Sequence, residues 1–222
     1  MFRYVLSLTF AVGIASAATI STTATCDGVT TVGTFGAHCN DGRFQADANL
    51  SVFPFQVFVG ALPFAFPATG SATANFSDDY VFTVFGGTGD GAFFPCFSGG
   101  ANAGASVGMS FAGIGLRDLS PGANDNCFPN GQPNGTPKPF TFGVPQIVHV
   151  DVVGSAAPPT PFRGAGGSES LYAIRFYDPV GNLLSNVNYT LVSVPEPSAL
   201  SLLSIGLMFL TVAVRRISNH QV

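Results

Sequence analysis

Gln146-Ile-Val-His-Val-Asp-Val-Val153 decides the fold class. Val148, Val150 and Val152 fall on one face of an extended chain, and Ile147, His149, Asp151 and Val153 on the other. A period of two is the signature of a strand with one buried side, and the all-valine face is the core side. Working outward, the same period recurs. Leu50 to Val59 reads as one strand, with Pro54 marking an edge or a bulge. Asp79 to Phe85 reads as another, started by Asp78-Asp79 and closed by Gly86-Gly87. Ala103 to Ile114 is a strand of small residues interrupted by glycines. Ser170 to Tyr177 is followed by Asp178-Pro-Val-Gly-Asn182, which has turn chemistry: an Asp that accepts from its own backbone, a φ-fixing Pro and a Gly free to take positive φ. Leu183-Leu184 and Val187 to Val194 supply the return and the last strand. Ser120–Pro139 and Gly154–Ser168, rich in Pro, Gly, Ala and Asn, read as long surface loops. Outside the two ends no stretch sustains a helical period. The expectation is a mainly β fold, an antiparallel β-sandwich or jelly-roll-like single domain over residues 18–194.

Composition agrees with a packed but weakly charged domain. The chain has 222 residues, of which 46% are hydrophobic and only 9% charged, with 22 phenylalanines and no tryptophan. That hydrophobic content is too high for a disordered chain. The net charge is −4, and it is more negative between the termini, because Arg3, Arg215 and Arg216 lie outside residues 18–194. Nucleic acid is therefore not an expected partner, since phosphate contacts need clustered Lys and Arg.

The two ends read differently from the middle. Met1-Phe-Arg3 is a short positive region, Tyr4 to Ile14 is almost wholly apolar, and Ala15-Ser-Ala17 is a small-residue cleavage pattern. Residues 1–17 are expected to be a secretory signal peptide. At the other end Pro195-Glu196-Pro197 precedes Ser198 to Val214, an uncharged apolar run, and then Arg215-Arg216. At about 1.5 Å per residue the run covers roughly 26 Å, near the short limit for a membrane-spanning helix. The arginine pair stops the span and places the C-terminus in the cytoplasm by the positive-inside rule. Each proline fixes its own φ and pushes the residue before it to an extended form, so a stiff peptide with one projecting carboxylate stands at the membrane surface.

This arrangement over residues 195–222 resembles the PEP-CTERM sorting signal of exported bacterial proteins. The resemblance implies recognition by an exosortase-type membrane enzyme, processing near the tripeptide, and release to the cell surface or an extracellular matrix. By family analogy it also suggests a structural role associated with extracellular polysaccharide. It implies nothing about the fold of the domain in between.

Cys26, Cys39, Cys96 and Cys127 are an even set, which in an exported chain predicts two disulfides. Three pairings exist; Cys26–Cys39 and Cys96–Cys127 are favoured because each closes a local loop. Zinc is disfavoured, because no C-x-x-C spacing occurs and the histidines are scattered.

No catalytic residue, metal ligand or cofactor site is assigned from sequence. His38 and His149 sit in no recognised motif, and Gly108-Met-Ser110 lacks the second glycine of a nucleophile elbow. Asp41, Asp47 and Asn49, and again Asn124, Asp125 and Asn126, form oxygen-rich groups that match no calcium motif and read as turn residues. The glycine clusters at 86–89 and 164–167 do not open helices, so phosphate binding is not indicated. Phe53, Phe55, Phe58, Phe64, Phe66, Phe76, Phe82 and Phe85 read mostly as core, and sequence does not separate core from groove among them. The expectation is a non-enzymatic exported protein; the alternative is a glycan-active hydrolase delivered by the same signal.

Overall fold

The structure, a computed structural model, describes residues 18–52, 54–65, 68–116, 122–125, 127, 135–160 and 163–194. The signal peptide with Ala15 and Ala17, the Pro195-Glu196-Pro197 motif, the span 198–214 and Arg215-Arg216 lie outside the described residues, as do Phe53, Phe66 and Asn126. Among the described residues no helix is long and apolar enough to cross a membrane.

Ala18–Val194 is one compact unit built of strands. In chain order these are β1 (Thr19–Cys26), β2 (Val29–Gly33), β3 (Gly36–Asn40), β4 (Phe44–Val52), β5 (Phe55–Pro63), β6 (Gly70–Phe85), β7 (Asp90–Ala101) and β8 (Ala105–Phe111). There follow β9 (Ile114–Leu116), β10 (Gly122–Asp125), β11 (Lys138–Thr141), β12 (Gln146–Ala156), β13 (Ala165–Tyr177), β14 (Leu183–Leu184) and β15 (Asn188–Ser193). They form two antiparallel sheets. The first runs β2-β1-β6-β12-β8-β9, with β15 also on β6; the second runs β10-β7-β13-β5-β4-β3, with β11 on β7 and β14 on β13.

One core takes the inward side chains of both sheets: Phe76, Tyr80, Phe82, Val150 and Phe111 from the first, and Phe44, Val57, Val59, Phe93 and Phe97 from the second. Val148, Val150 and Val152 are buried as the alternation requires. At Gly154 an added Cβ would stand 2.9 Å from the Val57 and Val59 methyls, so only hydrogen fits where β12 crosses β5. Cys26 on β1 is bonded to Cys39 on β3, which ties the first sheet to the second. Cys96 on β7 is bonded to Cys127, and with Phe94 and Tyr177 makes a small second cluster.

Several local readings are corrected. Leu50 to Val59 is not one strand: Pro54 falls in the turn between β4 and β5, where its missing N–H costs no ladder bond. Ala103 to Ile114 is also divided, because Ala112 (φ 54°) and Gly113 (φ 74°) make the tight turn of the β8–β9 hairpin. Asp78-Asp79 does not start a strand but lies in the middle of β6. The loop expected over 154–168 is shorter, because β12 runs to Ala156 and β13 begins at Ala165; β10 and β11 occupy parts of the other expected loop. The final segment divides between sheets, with β14 returning on β13 and β15 crossing to β6.

Candidate functional site

The outer faces of the two sheets carry the exposed polar chemistry. On the first sheet, His149 of β12 pairs in register with Asp79 of β6, and Asp151 pairs with Ser77. Alternation sends all four side chains outward. The His149 Nδ1 lies 2.7 Å from an Asp79 oxygen, and its Nε2 lies 3.1 Å from both Asp151 and the Ser77 hydroxyl. Ser77 donates to Asp151 at 2.9 Å. The hydrogen bond to Asp79 outweighs partial burial and raises the His149 pKa above its ordinary value, with Asp151 adding to the rise.

The order Asp79, His149, Ser77 is that of a carboxylate–imidazole–hydroxyl relay. Three features set this network apart from one. A raised pKa favours imidazolium, which cannot accept a proton. The Ser77 proton goes to Asp151 rather than to the imidazole. The side chains of His149, Asp79 and Asp151 are 46%, 27% and 34% exposed, so water is not excluded from the network. Asp78, one residue away, points inward and is buried; it accepts from the Asp79 N–H and the Ser193 hydroxyl. Burial, with the Asp78 charge adding to it, pushes the Tyr80 phenol well above its usual range.

The outer face of the second sheet holds a groove of about 320 Å³ across β4, β5, β13 and β7. Register builds it. Asn49, Phe58 and Ser168 form one row, and Ser51, Gln56, Ser170 and Ser98 the next. Phe58 is 47% exposed. Its ring leans over Gly60, where an added Cβ would stand 3.3 Å from it. Gly60 pairs with Gly166, so a trough without side chains runs beside the ring. Beyond the trough Asp47 is engaged by His38 at 2.5 Å and by Gln45 at 2.8 Å.

Glu169 belongs to the same stretch of β13, but alternation turns its side chain to the core. It is 1% exposed, and neither carboxyl oxygen has a hydrogen-bond partner among the described residues. Burial pushes its pKa up to about 8.

The oxygen-rich group of Asp41, Asp47 and Asn49 is not brought together as one site. Asp41 accepts from the Arg43 and Phe44 amides of its own turn, which lowers its pKa, while Asp47 and Asn49 face out from β4. The side chains of Asn124 and Asp125 lie outside the described residues. Sequence reasoning missed Ser77, Asp151 and the groove serines, because strand register, not spacing, assembles them. Asp27 and Gly28, both at positive φ, make the tight turn of the β1–β2 hairpin, which sequence reasoning also missed although an Asp-Gly pair is its signal. Among the described residues no three His, Cys, Asp or Glu side chains are arranged to hold a metal ion. Comparison with family models, curated proteins and solved structures finds no match to this chain.

Proposed function

We propose that this chain is an exported surface or extracellular-matrix protein. Its two sheets form a β-sandwich that works by binding or scaffolding rather than by turnover. The observation that carries the reading is the C-terminal order of Pro195-Glu196-Pro197, apolar run and Arg215-Arg216, paired with an N-terminal export pattern. Two disulfides between four cysteines are consistent with an oxidising exterior. The C-terminal helix holds the precursor in the membrane, and an exosortase-type enzyme then processes it near the tripeptide. Replacing Glu196 or deleting residues 198–214 leaves the protein secreted but unsorted in cell fractionation; surface delivery unchanged by both alterations defeats the reading.

A glycan-active hydrolase delivered by the same signal is the second reading. The Asp79–His149–Ser77 order is the observation that bears on it, although its hydrogen bonding departs from a relay; hydrolysis of a glycan acyl ester that disappears in Ser77→Ala would establish it over the first.

A further inference from the structure

The groove on the second sheet is chemically specific in what it offers. Its outward side chains are amides, hydroxyls and one phenyl ring, and no Lys or Arg lines it. A phosphate or carboxylate ligand would find no counter-charge there. The nearest outward carboxylate, Asp47, is already held by His38 and Gln45. A purely apolar ligand would strand the amides of Asn49 and Gln56, which cost free energy when desolvated unpaired. Asn49, Gln56 and Ser168 make no side-chain hydrogen bond to other described residues, so their donors and acceptors are open to a ligand.

The remaining features concern shape. The ring of Phe58 is exposed and laid along its strand over Gly60 rather than upright. An aromatic face carries negative quadrupole charge and attracts polarised C–H groups. The Gly60–Gly166 pair leaves room for a ligand to lie against bare backbone beside it. Four strands at about 4.8 Å spacing make a site roughly 14 Å across, and its volume is near the lower bound for small-molecule sites. A flat molecule with an apolar C–H face, a rim of hydroxyls and no charge satisfies all of these requirements.

We propose that this groove binds a neutral glycan chain, with a pyranose ring seated on Phe58 and the glycine trough, and its hydroxyls bonded by Asn49, Gln56 and Ser168. The inference rests on the reading of an exported, binding protein and deepens it by naming a ligand class and a place.

The test titrates the full-length chain, held in a non-glycosidic detergent, with cellohexaose, maltohexaose and the charged hexamer of galacturonic acid, followed by calorimetry. Saturable binding of at least one neutral hexamer, and none of the uronate, is expected. Phe58→Ala should weaken it about tenfold or more. Gly166→Leu should abolish it by filling the trough: a Cβ there meets only ordinary contact, 3.4 Å from the Val59 carbonyl, so the backbone accepts a side chain at this position. Gln56→Ala, a surface change, serves as a third variant should either of these fail to fold. Failure of both neutral hexamers to bind, preference for the uronate, or binding that survives every folded variant overturns the proposal. Those failures leave export and processing, read by fractionation, intact. Conversely, a cytosolic full-length chain that still binds a neutral hexamer overturns the export reading and leaves the groove standing.

Discussion

The outer faces of the two sheets are built by the same alternation and differ in what happens to their polar groups. On the first sheet Asp79, His149, Asp151 and Ser77 are close enough to spend their hydrogen-bonding capacity on one another. On the second, Asn49, Gln56 and Ser168 stand among serines and glycines, none of which satisfies them. A cluster of titratable side chains is thus not by itself the better site. The closed network stabilises its own geometry, and the open face keeps its groups for a ligand.

Three perturbations, taken from large to small, sharpen this contrast. The largest concerns what secures the second face. Cys96–Cys127 closes a loop with a sequence separation of 31, and Cys96 belongs to the outward cluster with Phe94 and Tyr177. Loop-closure entropy sets its contribution at about 4 kcal/mol. Cys96→Ser with Cys127→Ser should lower the denaturation midpoint accordingly, while leaving the His149 network on the other sheet titrating as before. A change in both faces would show that they are not independent.

The second perturbation lies beneath the groove. An unfolded Glu169 carboxyl ionises near 4.5, whereas the folded one holds its proton up to about 8. Between those values the unfolded chain releases a proton that the folded chain keeps. Stability therefore falls as pH rises through this window and levels off above it. At pH 7 the penalty is roughly 3 kcal/mol. Glu169→Gln should raise stability at neutral pH by an amount of this order and flatten the profile from pH 5 to 8, as measured by urea unfolding. A variant less stable than the parent at pH 7 would mean that the carboxyl has a partner it depends on.

The smallest effect is on the closed network. His149 has a raised folded pKa, so its contribution is complete below the unfolded value of 6.5 and is lost as pH rises through the folded value. Asp79→Asn removes the largest cause of that rise and should bring the imidazole titration, followed by NMR, back toward 6.5. The stability change should stay below about 1 kcal/mol, because the pair is partly exposed. An unmoved titration would place the cause at Asp151 instead.

The fold class was legible in sequence because valines on β12, aromatics on β6 and the Asp178–Asn182 turn each carry a local signal. In that turn Asp178 accepts from the Val180 and Asn182 amides, as its position required. The favoured cysteine pairing was legible too, since both bonds close local loops. What was not legible depends on register. Phe58 was one phenylalanine among many until β5 was seen to turn at Pro54 and place it outward beside Gly60. Asp78 looked like a strand start because a buried carboxylate is costly; the hydroxyl of Ser193, far along the chain, offsets that cost. Glu169 gave no signal at all, because its surroundings in β13 are small polar residues typical of an exposed segment.

The central claim is export of an oxidised β domain with both ends processed, and intact-mass spectrometry under non-reducing conditions tests it most directly. Protein recovered from the cell exterior should begin close to Ala18, end near Pro195-Glu196-Pro197 and contain no free thiol. A polypeptide running from Met1 to Val222, found in the cytosol with four free cysteines, would contradict it.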